Sequence, residues 1–315
     1  MFKVFKPFAW PWDLKKAGIL SMNERNYQII GKNNKRFLYP LVDNKVKTKE
    51  LAKFHHIKTP ALIGIIQAQN EVKDFLKLIK NHKSFVIKPA QGSGGKGVLV
   101  IKEYTTDKFI TTSNDTLTFQ DIYQHISNIL SGLYSLGGKY DTALLEEVAH
   151  FSNHFKDYSF QGVPDVRIIV YRGYPAMAMI RLATKESKGR ANLHQGAVGV
   201  GLDIKTGHAL SGVQYNKIIT HHPDTGADLS EIKVPFWKEH LEIAVKGYEM
   251  TGLGYFGADI VLDKEKGPLM LEMNARPGLA IQIANQEGLK KRLNFINKKC
   301  PENLSAKERL NFILK

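Results

Sequence analysis

The chain has 315 residues, 43% of them hydrophobic, and sets 45 lysines and arginines against 30 acids for a formal net charge of +15, a composition that fits a folded chain and excludes a disordered polymer. A single cysteine, Cys300, rules out an internal disulfide and a thiolate zinc cage, which predicts a reducing, cytoplasmic location, and no apolar run reaches the roughly 18 residues of a membrane-spanning helix. The positive surplus draws anionic partners by long-range steering; nucleotide, acidic lipid and acidic peptide qualify, while nucleic acid ranks last for want of a recognition module.

The first residues, MFKVFKPFAWPWDLKKAGIL, are interrupted by Pro7, Pro11 and Asp13 before a signal-peptide core can form. Phe5, Phe8, Trp10 and Trp12 interleave with Lys3, Lys6, Lys15 and Lys16, which suits an arm packed on its own body or, less simply, a contact with a membrane surface or partner groove. A short helix is predicted over 47–54 and a second in NEVKDFLKLIKNH, with Asn70 as cap and Val72, Phe75, Leu76 and Ile79 on one face. FVIKPAQGSGGKGVLVI then spells G-x-G-x-x-G with Gly92, Gly94 and Gly97. In a dinucleotide fingerprint such glycines lead into a helix, whereas Val98, Leu99, Val100 and Ile101 favour a strand. A Walker loop fails because Val98 stands where its lysine belongs, and a kinase loop fails for lack of H-R-D and D-F-G. What remains is a glycine hairpin with Lys88 at its base. Glycines let backbone N–H groups close on phosphate oxygens and Lys88 adds a point charge, although alone the pattern is equally a plain hairpin with a surface lysine.

TLTFQDIYQHISNILSGLYSLGG predicts a third helix, opened by Thr118 with Asp121, closed by Gly137 and Gly138, and burying Ile122, Ile126, Ile129 and Leu133. A strand in ALLEEVA, a hairpin about Gly173 in VRIIVYRGYPAMAMIRL, and a fourth helix ended by Gly252 follow. YFGADIVLD and PLMLEMN close the series as an antiparallel pair. Helix runs and hairpins, without steady strand–helix alternation, argue for an α+β fold. Asp259 lies in the first strand of the last pair; Glu272 and Asn274, two apart in the second, share a face. Hard oxygen donors with room for water and phosphate suit Mg²⁺ in a nucleotide site, and apolar residues around Glu272 argue against an idle surface carboxylate. Arg276 follows, fixed by the Pro277-Gly278 turn. Arg167 is spaced to pair with Asp165, and RANLHQG adds Arg190, Asn192 and His194, the last best taken as a surface group.

Together these segments resemble the ATP-grasp superfamily and, within it, the RimK-type α-L-glutamate ligases, from roughly residue 43 to 290 and with the motifs in the family's order. DNKVKTKELAKFHHIKTP is similar to the segment of the first ATP lysine, here Lys45. FVIKPAQGSGGKGV is similar to the second lysine, Lys88, and the mobile loop with Gly92, Ser93, Gly94, Gly95 and Gly97. LLEEVA resembles the hinge that meets adenine, with Glu146, Glu147 and the Val148 backbone. DVRIIV, Arg181 and GRANLHQGA resemble the segment that brings arginine and asparagine to the phosphates; ADIVL and LEMNARPG resemble the metal strands with Asp259, Glu272 and Asn274.

The resemblance implies an ATP-grasp fold of two α+β subdomains gripping ATP, divided as a reduced N-terminal region 1–42, a lid subdomain 43–148, a C-terminal subdomain with the metal site 149–290, and a basic tail 291–315. It implies ATP-dependent ligation of an amine, glutamate or a related amino acid, to a carboxylate or peptide acceptor through an acyl phosphate. Arg167, Arg181, Arg190, Asn192 and Arg276 would act on the phosphates and the acyl phosphate, and one or two magnesium ions, or manganese, would be bound. Two departures from the family stand out. Few residues precede Lys45 where the family has a complete α/β domain, and segment 103–139 between loop and hinge is enlarged. They leave open a phosphotransferase of the same fold, or a nucleotide-responsive protein docked through its N-terminus to a membrane partner.

Overall fold

A computed structural model describes residues 10–92, 94–105, 108–135 and 137–315; Ser93, Phe5 and Phe8 lie outside the described residues. The chain builds two antiparallel sheets, and the glycine hairpin belongs to the first. That sheet contains β1 (Leu62–Ile66), β2 (Phe85–Pro89), β3 (Leu99–Thr105), β4 (Lys108–Thr111), β5 (Thr116–Leu117) and β6 (Ala143–Glu146), in the order β1-β6-β2-β3-β4-β5. β2 and β3 pair from Phe85 opposite Ile101 to Ile87 opposite Leu99, so the glycines join two strands as expected.

The helix Phe119–Leu130 covers this sheet through Ile122, Ile126 and Ile129, which pack with Phe75, Phe85 and Phe109. Thr118 and Asp121 cap its start reciprocally. It stops earlier than Gly137: Gly132, at φ +83°, takes the left-handed position, with Gly132 N–H donating to Ile129 and Leu133 N–H to Asn128, a Schellman closure. Leu133, expected inside, is therefore 66% exposed. The second predicted helix divides into a 3₁₀ turn, Gln69–Asp74, and the α-helix Phe75–Ile79. Its start is capped by the Glu71 carboxylate accepting from Gln67 and Ala68 N–H, not by Asn70, and the change of pitch turns Leu76 outward while Val72, Phe75 and Ile79 stay buried.

The second sheet holds β7 (Asp165–Tyr171), β8 (Tyr174–Leu182), β9 (Val198–Leu202), β10 (Ala209–Gln214), β11 (Lys217–Ile219), β12 (Tyr255–Asp263) and β13 (Gly267–Asn274), ordered β11-β10-β9-β8-β7-β12-β13. Arg172 and Gly173, at φ +51° and +79°, make the two-residue turn between β7 and β8 that matches strand twist. The helix Trp237–Thr251, ended by Gly252 at φ +67°, packs on the sheet. Its core also takes Leu293 and Ile296 of the helix Leu289–Lys299 and Leu310 and Ile313 of the helix Ala306–Leu314.

Leu20, Ile30 and Val42 belong to the same core, so the segment before Lys45 is docked on this sheet. Buried polar groups fix it there. Asn34 accepts from Tyr255 N–H at 2.8 Å and donates to the carbonyls of Tyr255 and Ala275 at 2.6 and 3.3 Å, while Gln282 bonds both backbone groups of Leu20. Trp10 and Trp12 behave differently from an arm packed on its body: their rings stack at 5.0 Å and are 53% and 64% exposed. Among the described residues no helix is long and apolar enough to cross a membrane.

Candidate functional site

Beneath the glycine hairpin lies a buried triad of charges. Lys88 sits on β2 beside β6, whose last residue is Glu146. The Glu146 carboxylate receives Lys88 on one oxygen and Lys49 on the other, the latter at 2.8 Å, and both lysine side chains are only 9% exposed. Burial alone would raise Glu146, but Lys88 and Lys49 hold it below the usual carboxylate range. Lys49 comes from the helix Lys45–Phe54, whose first turn is capped by Asn44 accepting from Val46 and Lys47 N–H. Lys45, at that helix start, donates its backbone N–H to Ala90 and its ammonium to the Gly92 carbonyl at 2.8 Å. Burial pulls the Lys45 ammonium below its ordinary value; Glu272 opposes this most, ahead of Asp141 and Glu146. Lys45 is therefore in electrostatic reach of both the glycine hairpin and β13.

The hairpin has held ends and an open tip. Gly94 and Gly95 have left-handed backbones, φ +64° and +73°, and apart from their chain neighbours no atom of the described residues comes within 4 Å of where a Cβ would stand. Gly97, at φ +72°, lies against Tyr134. In the hinge segment both expected carboxylates have protein partners: Glu146 holds the two lysines, and Glu147 pairs at 2.7 Å with Lys266 on the surface while its N–H donates to Ala61. Val148 is half-buried and leaves its main chain as that segment's remaining candidate.

The second half of the site is a ladder of charges across four strands. Asp259 on β12 stands opposite Glu272 on β13 and, on its other side, opposite Arg167 on β7; Arg181 on β8 stands opposite Asp165 on β7. Arg167 clasps Asp259 with Nε and Nη2 at 2.7 and 2.6 Å, and Arg181 adds Nη2 at 2.9 Å. Arg181 also clasps Asp165, with both bonds at 2.5 Å. The pairing expected within one strand, Arg167 with Asp165, gives way to pairing between strands, because opposite residues are closer than residues two apart along one strand. Burial would raise Asp259, but Arg167 and Arg181 hold it well below the carboxylate range; at Asp165 burial and the charge of Asp259 outweigh Arg181 and push it up to about 6.

The trio predicted for a metal is brought together unequally. Asn274 Nδ2 lies 3.3 Å from both Asp259 Oδ2 and Glu272 Oε1. Asp259 is 2% exposed, and its oxygens already accept three guanidinium bonds. Glu272, half-buried, has only the long Asn274 hydrogen bond among the described residues. Glu272, with Asn274 beside it, thus fits a hard cation that takes its other ligands from water and phosphate, whereas Asp259 fits the role of arginine anchor. Among the described residues no group of three or more His, Cys, Asp or Glu side chains is placed to hold a metal ion.

Arg276 is exposed, its guanidinium 5.4 Å from the Tyr39 ring centre and 3.9 Å from Asp43. Arg25 donates to the Pro277 carbonyl at 2.7 Å and fixes the turn. The segment before Lys45 therefore forms a wall that sequence reasoning missed, with Tyr39 and Asp43 on it; burial raises Asp43 against the pull of Arg276 and Lys45. Lys49 was missed too, although it lies four residues beyond Lys45 and so on the same helix face. Arg190 and His194 are exposed, and Asn192 accepts His194 N–H at 3.0 Å; no hydrogen bond or ion pair among the described residues links Arg190 or Asn192 to the acidic hairpin.

The model of one protein family, described as Sugar-transfer associated ATP-grasp, matches residues 24–298. Among solved structures the chain is similar to the ATP-grasp ligase PsnB complexed with minimal precursor, at 12% identity over 90% of this chain and 63% of that one, with a TM-score of 0.46. It is similar to D-alanyl-alanine synthetase A from Vibrio cholerae O1 biovar eltor, at 11% identity over 87% and 66% with a TM-score of 0.50. D-cycloserine synthetase DcsG gives 14% identity over 93% and 82% with a TM-score of 0.48. The chain spans less than two thirds of the length of the first two. Such identities show the fold alone, and no curated protein matches the chain.

Proposed function

Because the chain belongs to the Sugar-transfer associated ATP-grasp family, we propose that it binds ATP between the glycine hairpin and the acidic hairpin and activates a carboxylate for attack by an amine. The observation that carries this reading is the position of Lys45, bonded to Gly92 in the glycine hairpin and acted on by Glu272. In the reaction a carboxylate oxygen takes the γ-phosphoryl group and ADP leaves. The amine then attacks the acyl carbon, phosphate departs, and the amine gives up a proton. No protein nucleophile is required, since phosphoryl transfer calls chiefly for positioning and charge neutralisation. Lys45 meets the phosphates first, with Lys88 behind it on Glu146; the N–H groups about Gly94 and Gly95 cover them, and the exposed Arg276 meets the incoming anion. Bound magnesium, held by Glu272 and Asn274, would supply further neutralisation of phosphate charge. Arg167 and Arg181 contribute positive field from their places on Asp259 and Asp165.

The finer assignments rest on motif order: the RimK type, glutamate as the added amino acid, a carboxylate or peptide acceptor, the Val148 main chain against adenine, and Arg190 with Asn192 at the acyl phosphate. The test is a screen of acids and amines with ATP and magnesium, scored for ADP and for product mass. A condensation product that disappears in Glu272→Gln supports ligation. A product heavier by phosphate alone replaces it with phosphotransfer, and no ADP from any pair defeats it. A second reading concerns location. The exposed Trp10–Trp12 stack, followed by Lys15 and Lys16, suits docking at an anionic membrane surface; flotation with phosphatidylglycerol vesicles, abolished in Trp10→Ala/Trp12→Ala, supports it, and no flotation refutes it.

A further inference from the structure

The enlarged segment between the glycine loop and the hinge, with Asp141 just beyond it, has no place in the chemistry above, yet it folds back onto both ends of that loop. At the first end, Asp141 is buried and accepts the N–H of Gln91 on both carboxylate oxygens, at 3.1 and 3.0 Å. Ser135 donates its hydroxyl to the same carboxylate at 2.5 Å and forms a backbone bridge with Gly92. At the other end, the Gly97 carbonyl lies 3.1 Å from Nε2 of His125. A carbonyl only accepts, so that nitrogen carries the proton. The Tyr134 ring lies flush on Gly97, where a Cβ would come within 2.5 Å of it, and the rings of Tyr134 and His125 are 5.6 Å apart. His125 is itself fixed, since its helix is sunk in the core through Ile122, Ile126 and Ile129.

We propose that His125, Tyr134, Ser135 and Asp141 are positioning residues: they clamp the glycine hairpin at Gln91–Gly92 and at Gly97, and leave only the tip about Gly94 and Gly95 to move onto phosphate. This rests on the ATP reading for its purpose but not for its geometry. The clamp shortens the moving part from a whole hairpin to a few glycine peptides, so less conformational freedom is lost when a nucleotide closes it. The enlargement is then a handle on the loop, formed from a rigid helix and the turn that follows it.

Trypsin provides the test, because Lys96 is exposed between the two clamped ends. Nicking after Lys96, followed by fragment mass without nucleotide, is expected to accelerate about tenfold in His125→Ala and in Tyr134→Ala as local opening becomes cheaper. Nicking after Lys299 in the tail should not change. Tyr134→Phe keeps the ring and His125→Gln keeps a donor, and both are expected to stay near the wild-type rate. Ser135→Ala, the mildest change, covers the case in which the alanine variants fail to fold, and is expected to give a rise of about threefold. Wild-type rates in the folded His125→Ala, Tyr134→Ala and Ser135→Ala variants would overturn the clamp. The same digestion with ATP and magnesium separates the two proposals. If ATP does not protect Lys96 in the wild type, the nucleotide reading suffers while the nucleotide-free comparison still decides the clamp.

Discussion

Asp259→Asn separates an arginine anchor from a carboxylate kept ready for a cation. The substitution preserves shape but removes the charge that faces two guanidiniums; its single carbonyl oxygen can keep at most the two bonds made to Oδ2, at 2.6 and 2.9 Å, and the amide nitrogen loses the third, at 2.7 Å. Arg181 retains Asp165, so its loss is partial; Arg167, 13% exposed at its side chain, is left with no carboxylate among its described contacts. Breaking a buried ion pair from one side costs about 3–5 kcal/mol, and the surviving Arg181–Asp165 clasp places this case near the lower end, about 3 kcal/mol. Glu272→Gln is the control: with one long contact to Asn274 it should cost under about 1 kcal/mol. Urea unfolding at pH 7, without nucleotide or metal, can be followed by Trp237, which is buried in the same core while Trp10 and Trp12 are exposed. An Asp259→Asn protein as stable as the wild type, or more stable, would refute the anchor. Acids that merely await a cation repel one another and gain when one is neutralised; an equal loss in Glu272→Gln would refute it too, because the cost would then not be particular to the residue that holds two guanidiniums.

Two further outcomes follow from the same contacts. Lys45→Met should weaken ATP binding at least about tenfold, the loss expected of a charge-assisted contact worth about 1.5–3 kcal/mol, with little change in unfolding; titration with a fluorescent ATP analogue decides it, and unchanged affinity removes Lys45 from the phosphates. Asp165 gives a pH signature. Its folded value of about 6 exceeds the ordinary 3.8, so the folded state binds the proton more tightly than the unfolded chain. Its penalty is absent below the ordinary value and grows as pH rises through about 6, reaching at most about 3 kcal/mol at about 1.4 kcal/mol per unit. The stability of wild type minus that of Asp165→Asn should therefore fall between pH 4 and 7. Asp259, shifted the other way, acts below that window, and a flat difference curve defeats the assignment.

Much of this fold could be read from turn chemistry. Gly173 and Gly252 sit where a left-handed residue is required, and the Gly267 turn starts a hairpin register that an irregularity at Leu271 then shifts by one residue, which puts Asp259 opposite Glu272. The strand after Gly97 was legible in four β-favouring residues, and Lys88 in its place before the loop. What could not be read was partner choice. Arg167 meets Asp259 because β12 inserts between β7 and its own hairpin partner β13, a tertiary outcome that spacing along either strand does not contain. Leu133 shows the same limit locally: one glycine, Gly132, had already ended the helix that the apolar periodicity extended. The wall of Tyr39 and Asp43 left no motif at all, since it depends on Asn34 and Arg25 tying that segment to the ends of β12 and β13.

The pairings also order the cations by availability. Lys88 and Lys49 share Glu146, and Arg167 and Arg181 share Asp259 and Asp165, so a phosphate reaching any of them must compete with a buried carboxylate at short range. Lys45 and Arg276 are held more lightly, the first by a neutral carbonyl and the second by a 3.9 Å contact at an exposed side chain. Both act on Asp43, and Glu272 acts on Lys45, which draws them into one neighbourhood. The deep pairs then shape the two hairpins, and the anion is met by the two cations least committed to the protein itself. Sequence similarity weighted Lys45 and Lys88 alike; the contacts around them separate a charge that can be offered to a ligand from one already in use.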